Sequence, residues 1–345
     1  MKRENTLANN MRGISSNVNI CRFIAALLVI ICHAYPLTQN NNDYLYRYTN
    51  GQCNWGGMAI VVLFFFSGLY VTKSMMRHPG VGEYIKARCI RIFPPLVLTV
   101  LLCTFVLGPI VTTLSAGEYF TTPSTYLYLL NGIMLPVHNL PGVFANSVYA
   151  ATVNGPLWTM PIEFACYIAL IIFYKIYEKF GKKNWILAAI AVVIGVGCVA
   201  LYFFVTNYMP GATILISAIR PSIAFFVGVA YYIFKDRIVL DYRLGLLAIV
   251  LVALAGMTPF FSAALVLLLP YGVISLALGT KQICKGVKLF DLSYEMYLVG
   301  WPIQQVLICV LHWTSTPWIN FLVTIPLDLA ISWVIFQISE KPLRK

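Results

Sequence analysis

The stretch VNICRFIAALLVIICHAY, residues 18–35, is apolar throughout apart from Asn19, Arg22 and His33. As a helix, such a stretch rises about 27 Å, close to the roughly 30 Å hydrocarbon core of a bilayer. No water reaches the backbone at that depth, so a spanning segment is either a helix or one strand of a closed barrel. Barrel strands alternate apolar and polar residues over about ten positions. This stretch does not alternate, so it reads as a helix. Further apolar runs follow at 56–73, 92–112, 156–175, 185–206, 212–233, 244–258, 260–279, 289–311 and 318–338. Together they predict an all-α integral membrane protein with about ten transmembrane helices. The seventh and eighth are separated only by Gly256-Met257-Thr258-Pro259 and should form a tight hairpin.

Composition agrees. The chain is 60% hydrophobic and 10% charged, against roughly 25% charged for a soluble domain, and its mean hydropathy is +0.80. The net charge of +12 invites comparison with nucleic-acid binders, but its distribution argues otherwise. Of 24 Lys and Arg, 21 fall in 1–17, 73–91, 175–184, 235–243, 281–288 and 339–345, the segments that ten spans place on one side. Only Arg47 lies in an opposite-side loop, while Arg22 and Arg220 fall within spans. This asymmetry is the positive-inside pattern and predicts that both termini are cytoplasmic. Nucleic acid is not an expected partner, because no contiguous basic surface with polar support is present.

The first span carries no small-x-small cleavage pattern and is followed by a second, so it reads as a retained helix. Nine cysteines without a CxxC, most of them inside apolar runs, predict neither a disulfide framework nor a metal site. Spans and short loops use nearly the whole of 1–345, which predicts a single membrane-embedded domain. The one long connection, 113–155, lies on the outer side and holds no Lys or Arg. Its apolar piece 126–135 is too short to cross and should lie at the interface. No internal repeat of the kind common in secondary transporters is seen.

Ionisable residues inside spans are costly and mark function. Arg22 and His33 are eleven residues apart, three helical turns within about 20°, with a rise of about 16 Å. They therefore share a face, Arg22 toward the cytoplasm and His33 toward the outer leaflet, either as functional groups or as a snorkelling anchor and an interfacial His. Arg88 and Arg91 are three apart and point the same way at the cytoplasmic mouth of the third span. Paired guanidinium groups suit a phosphate-bearing ligand, although positive-inside loops need no ligand at all. Glu163, inside the fourth span at a depth comparable to His33, is placed to orient an imidazole or raise its basicity, or else to serve a buried structural ion pair.

These residues stand in a longer series. Arg22 and His33 are followed by Phe64-Phe65-Phe66-Ser67-Gly68, then by Arg88, Arg91, Phe93 and Pro94. Leu157, Trp158 and Glu163 come next, then Ser293, Tyr294 and Tyr297, and finally Glu340 and Pro342. In this order and over nearly the whole chain, the set resembles the acyltransferase-3 family of membrane-bound acyltransferases, which O-acylate bacterial surface glycans. One departure is Gly300-Trp301-Pro302-Ile303-Gln304-Gln305, where many members place a His; the general-base role then falls on His33. Glu295, inside the same span, has no assigned role.

The resemblance implies a multi-pass protein of the bacterial cytoplasmic (inner) membrane that uses acyl-CoA, acetyl-CoA first among the candidates, and no metal. The donor phosphates are expected on Arg88 and Arg91, aided by Arg22 and Arg220. The pantetheine arm would run along the Arg22–His33 face. His33 would act as general base, or be acylated itself, with Glu163 holding its ring. Asn154, Trp158, Tyr167, Ser293, Tyr294 and Tyr297 are the expected contacts of the acceptor, a glycan or lipid-linked saccharide. A transporter or flippase, and an acyltransferase acting on a small molecule or lipid, are the competing readings. The topology is testable by cysteine labelling. Lys183→Cys and Lys285→Cys, in a background without reactive native cysteines, should resist an impermeant reagent in intact cells. Labelling of either would overturn the ten-span arrangement.

Overall fold

A computed structural model describes residues 5–11, 15–40, 42–77, 80–149, 152–183, 213–283, 292–310 and 316–343. Among them, regular structure is helical, with only isolated bridges between extended residues. The principal helices are α1 (Ser16–Leu37), α2 (Trp55–Arg77), α3 (Val81–Leu102), α4 (Thr159–Lys179), α5 (Thr213–Ile233), α6 (Tyr242–Ala255), α7 (Phe261–Gly279), α8 (Ser293–Cys309) and α9 (Pro317–Ile335). A wide turn at Cys103–Leu107 and a short helix at Gly108–Val111 extend α3 into one apolar run of 31 residues. Six of the described helical stretches are long and apolar enough to cross a membrane, which makes this a multi-pass membrane protein. Three further expected spans are the helices α5, α6 and α8, and the span expected at 185–206 lies outside the described residues.

The chain forms two compact units. The first comprises 1–18, 60–84 and 159–283. Its centre is a crossing of α2 and α5 at which both backbones touch. A Cβ on Gly68 would lie 1.9 Å from the Phe225 carbonyl oxygen, and one on Gly228 would lie 2.2 Å from that of Phe65. Small residues at such crossings let helices gain packing energy where no hydrophobic effect separates protein from lipid. The expected hairpin is present, with α6 and α7 joined by a turn in which Thr258 N–H and hydroxyl both donate to Ala255 O at 2.8 Å. At one end of this unit, Leu7 N–H donates to Ile238 O at 2.8 Å and the Asn17 side chain to Lys281 O at 3.0 Å. Three segments that the charge pattern assigns to one side are thus bonded together.

The second unit comprises 19–59, 85–158 and 284–345. Its centre is α8, in which 14 of 17 residues are buried, so that α8 is covered on all sides. The 113–155 loop is structured. Ser115 and Glu118 form a reciprocal cap at the start of Ala116–Thr121, and bonds from Ser115 hold the Glu118 carboxyl below its usual range. The 126–135 piece forms short turns of helix, Pro123–Leu127 and Tyr128–Ile133, and leaves Tyr126, Leu127, Ile133 and Leu135 exposed.

The α2–α5 crossing leaves no room for a methyl group. Gly68→Ala should therefore lower stability by about 3 kcal/mol or more, since neither backbone can yield without breaking helix hydrogen bonds. A thermal midpoint in detergent equal to that of the parent protein would show that the crossing tolerates side chains.

Candidate active site

In the second unit, α1 lays one face along α8. Ala26 and Ile30 pack with Met296 in one apolar cluster, and Leu37 packs with Trp301 in another. His33 falls on this same face. Its ring meets the Trp301 indole edge-on, with centroids 5.0 Å apart at 78°. The imidazole is half-buried. Within its unit it takes part in no hydrogen bond, so both ring nitrogens are available for proton exchange. Arg22, three turns toward the start of the same helix, is also half-buried.

Gly300 makes the α1–α8 contact close. A Cβ there would lie 3.1 Å from Ile30 Cγ1 and 3.0 Å from Asp328 Oδ2. Asp328 is fully buried in α9 and accepts a hydrogen bond from Ser332 Oγ at 2.9 Å. Sequence reasoning did not single it out. The signal was there, since a carboxylate within an apolar span is a functional candidate by default.

The expected acceptor contacts on α8 have partners in the protein. Tyr297 donates its hydroxyl to Pro156 O at 2.9 Å, and the Asn154 amide donates to Leu298 O at 2.7 Å. Trp301 Nε1 and Gln305 Nε2 both donate to Thr152 O, at 3.2 and 3.0 Å. Four bonds thus tie the end of the 113–155 loop and the start of the Gly155–Trp158 turn to α8. Tyr294 donates to Ile92 O at 3.0 Å. Ser293 opens α8 and is buried, and Trp158 is half-buried in the Gly155–Trp158 turn that leads into α4.

In the middle of α3, Arg91 is ion-paired with the buried carboxylate of Glu340. The Tyr294 ring lies 5.5 Å from the same guanidinium. Three motifs read separately from the sequence therefore converge: the Arg pair, the tyrosine pair and the late Glu-x-Pro. Arg88 is half-buried one turn earlier on α3.

The first unit holds a separate polar group. Ser67 Oγ donates to Glu163 Oε1 at 2.7 Å, and the Tyr167 hydroxyl donates to the same oxygen at 2.5 Å. Ser67 and Tyr167 oxygens are 3.0 Å apart. The Ser-Gly motif of α2 thus meets the carboxylate of α4 through Ser67, while Gly68 faces α5. Arg220 donates to Ser262 Oγ at 2.9 Å, at the start of α7 beside the α6–α7 turn. Fifteen residues of α5, about 22 Å of helix, separate it from Lys235 and from the segment bonded to the N-terminal strap. It therefore sits at the end of its unit away from the segments expected in the cytoplasm.

A model of an acyltransferase domain matches residues 15–337, which takes in both units and every motif except the late Glu-x-Pro. The chain belongs to the acyltransferase-3 family. It is accordingly an acyltransferase. It is 26% identical over 337 residues, 95% of each chain, to an O-acetyl transferase of Shigella phage Sf6. It is 24% identical over 56% of its length to nodulation protein 10 of Rhizobium leguminosarum bv. viciae, covering 53% of that protein. Acyltransferase MdmB of Streptomyces mycarofaciens is 25% identical over 55% of this chain and 46% of its own. No solved structure matches the chain.

The Arg91–Glu340 pair predicts an asymmetry between the two arginines. Arg91→Ala removes the ion pair of Arg91 with a buried carboxylate and should cost about 3 kcal/mol of stability. Adding Glu340→Gln should recover most of that loss. Equal thermal midpoints for the parent and Arg91→Ala proteins would remove the structural role.

Proposed function

We propose that this acyltransferase moves an acyl group, acetyl in the first instance, from cytoplasmic acyl-CoA to a hydroxyl of an extracytoplasmic or lipid-linked saccharide. The observation that carries this reading is His33. A half-buried imidazole with both nitrogens unengaged within the described residues of its unit, set in the last third of α1, is the group a hydroxyl acceptor requires. The full-length similarity to an O-acetyl transferase supports O-acylation.

In this reading the acceptor O–H gives its proton to His33 Nδ1 or Nε2 as the oxygen attacks the thioester carbonyl. A C–O bond forms, the C–S bond breaks, and the proton passes to the thiolate of coenzyme A. Donor phosphates are assigned to Arg88, with Arg91 contributing from its place beside Glu340 and Tyr294, and Arg22 lining the path. Arg220, bonded to Ser262, is left out of the phosphate role. Glu163, oriented by Ser67 and Tyr167, supplies the negative charge that favours a developing imidazolium.

Two experiments separate binding from chemistry. Arg88→Ala should weaken acyl-CoA binding about tenfold, the effect of losing one charge-assisted hydrogen bond worth about 1.5–3 kcal/mol. His33→Ala should bind donor normally and transfer nothing. Normal donor binding by Arg88→Ala would return that residue to the topology charges. Glu163→Gln should reach the membrane at parental abundance yet lose transfer. If Glu163 and His33 act together, the double variant should be no worse than either single one, because members of one catalytic unit are non-additive. Multiplicative losses would assign Glu163 to a separate task.

A further inference from the structure

Arg91 carries a feature that phosphate binding alone does not explain. It is the last charged residue of α3 and its extension, since 92–111 holds none. Its guanidinium is ion-paired with Glu340, and the two atoms in contact, Nη1 and Oε1, are both sealed from the surface. The Arg91 side chain is nevertheless 25% exposed, against 2% for that of Glu340. The carboxylate therefore stands on the buried side of the guanidinium. The Tyr294 ring, held by its hydroxyl bond to Ile92 O, flanks the same group with its centre 5.5 Å from Cζ. A guanidinium has five N–H donors in a planar fork, more than one carboxylate uses, so an anion reaching the exposed side would share Arg91 with Glu340.

Glu340 is not placed to swing away. Along α9 and beyond its end, Asn320, Thr324, Asp328, Ser332, Phe336 and Glu340 recur every four residues, and all are buried. Such a row drifts about 40° per step around a regular α-helix. The wide turn at Phe336–Glu340, with more residues per turn, offsets that drift and keeps Glu340 on the buried face. Within it, Ser339 Oγ donates to Ile335 O at 2.7 Å. A carboxylate fixed there remains beside Arg91 whether or not the site is filled. It stands within about 6 Å of any phosphate on the same guanidinium, a distance at which like charges oppose each other.

We propose that Glu340 sets the affinity of the donor site as the resident counter-ion of Arg91. In the empty protein it neutralises a guanidinium that would otherwise stand uncompensated where α3 turns apolar. With donor bound, its charge weakens the hold on phosphate. Acyl-CoA and CoA carry the same phosphates, so an arginine grips substrate and product alike. Grip shared by both adds nothing to the chemical step and slows release. A fixed carboxylate behind the arginine moderates it. The assignment rests on the acyl-CoA reading above and adds the residue that tunes it.

The test measures binding of acetyl-CoA, CoA and inorganic pyrophosphate to the full-length protein by calorimetry, and release of radiolabelled CoA by rapid filtration. Glu340→Gln should bind all three about tenfold more tightly, the effect of removing one nearby like charge at a partly exposed site. It should release CoA correspondingly more slowly. Glu340→Asp, which keeps the charge, should bind all three as the parent does. Arg91→Ala combined with Glu340→Gln should lose the gain, because Arg91 is the group whose charge is uncovered. If Glu340→Gln fails to reach the membrane, Glu340→Met, similar in length and without charge, takes its place. Unchanged or weaker binding of all three by the uncharged variant would overturn the counter-ion and leave Glu340 a structural partner only. Pyrophosphate bound more tightly by the uncharged variant, with acetyl-CoA bound by neither protein, would keep the counter-ion and sink the acyl-CoA reading.

Discussion

Everything in the second unit depends on the burial of α8. A helix covered on all sides within a membrane protein has no water to complete its side-chain hydrogen bonds, and each buried polar atom left unpaired costs about 1–3 kcal/mol. Yet α8 carries Tyr294, Tyr297, Trp301, Gln304 and Gln305. Each one finds a backbone carbonyl: of Ile92, Pro156, Thr152, Ile30 and Thr152 again. Those carbonyls belong to α3, the approach to α4, the outer loop and α1. Satisfying α8 therefore sets the positions of the elements around it.

The placement of His33 follows from this. Gly300 allows α1 to approach α8 so closely that a methyl group would meet Ile30 and Asp328. One turn further along α1, that approach presses the His33 ring against Trp301. Packing by the indole holds the imidazole edge-on, with centroids 5.0 Å apart. Glu163 is held in the opposite manner, with one oxygen engaged by two hydroxyls.

The motifs divide into those that hold the structure and those left free to act. Ser67 orients Glu163 while Gly68 allows a backbone crossing, so two adjacent residues do different work. Tyr297 and Asn154 stand in or beside motif positions, and their hydrogen bonds hold a loop. Arg91 and Glu340 lie almost 250 residues apart in the chain and form one ion pair. A pattern of residue types along a chain carries no sign of which kind of work each residue does, because both kinds are constrained to the same side chains.

What the sequence determined by itself is whatever depends on composition along the chain. Apolar run lengths specified membrane helices, Gly256-Met257-Thr258-Pro259 specified the hairpin, and the spacing of Arg22 and His33 specified a shared face. Ordered motifs specified the family. Each of these is a local property, readable because helix rise, bilayer thickness and periodicity are fixed numbers. Tertiary structure decided the pairings: Arg91 with Glu340, Glu163 with Ser67 and Tyr167, His33 with Trp301, and Arg220 with Ser262. It also decided that Asp328 and Gln304 lie in the same seam as His33. Such pairings are set by which helix faces meet, and in a chain where nearly every face is apolar, hydrophobic pattern cannot say which face meets which. Close approach at glycine and the need of each buried polar atom for a partner make that choice, and both act only once the helices are packed.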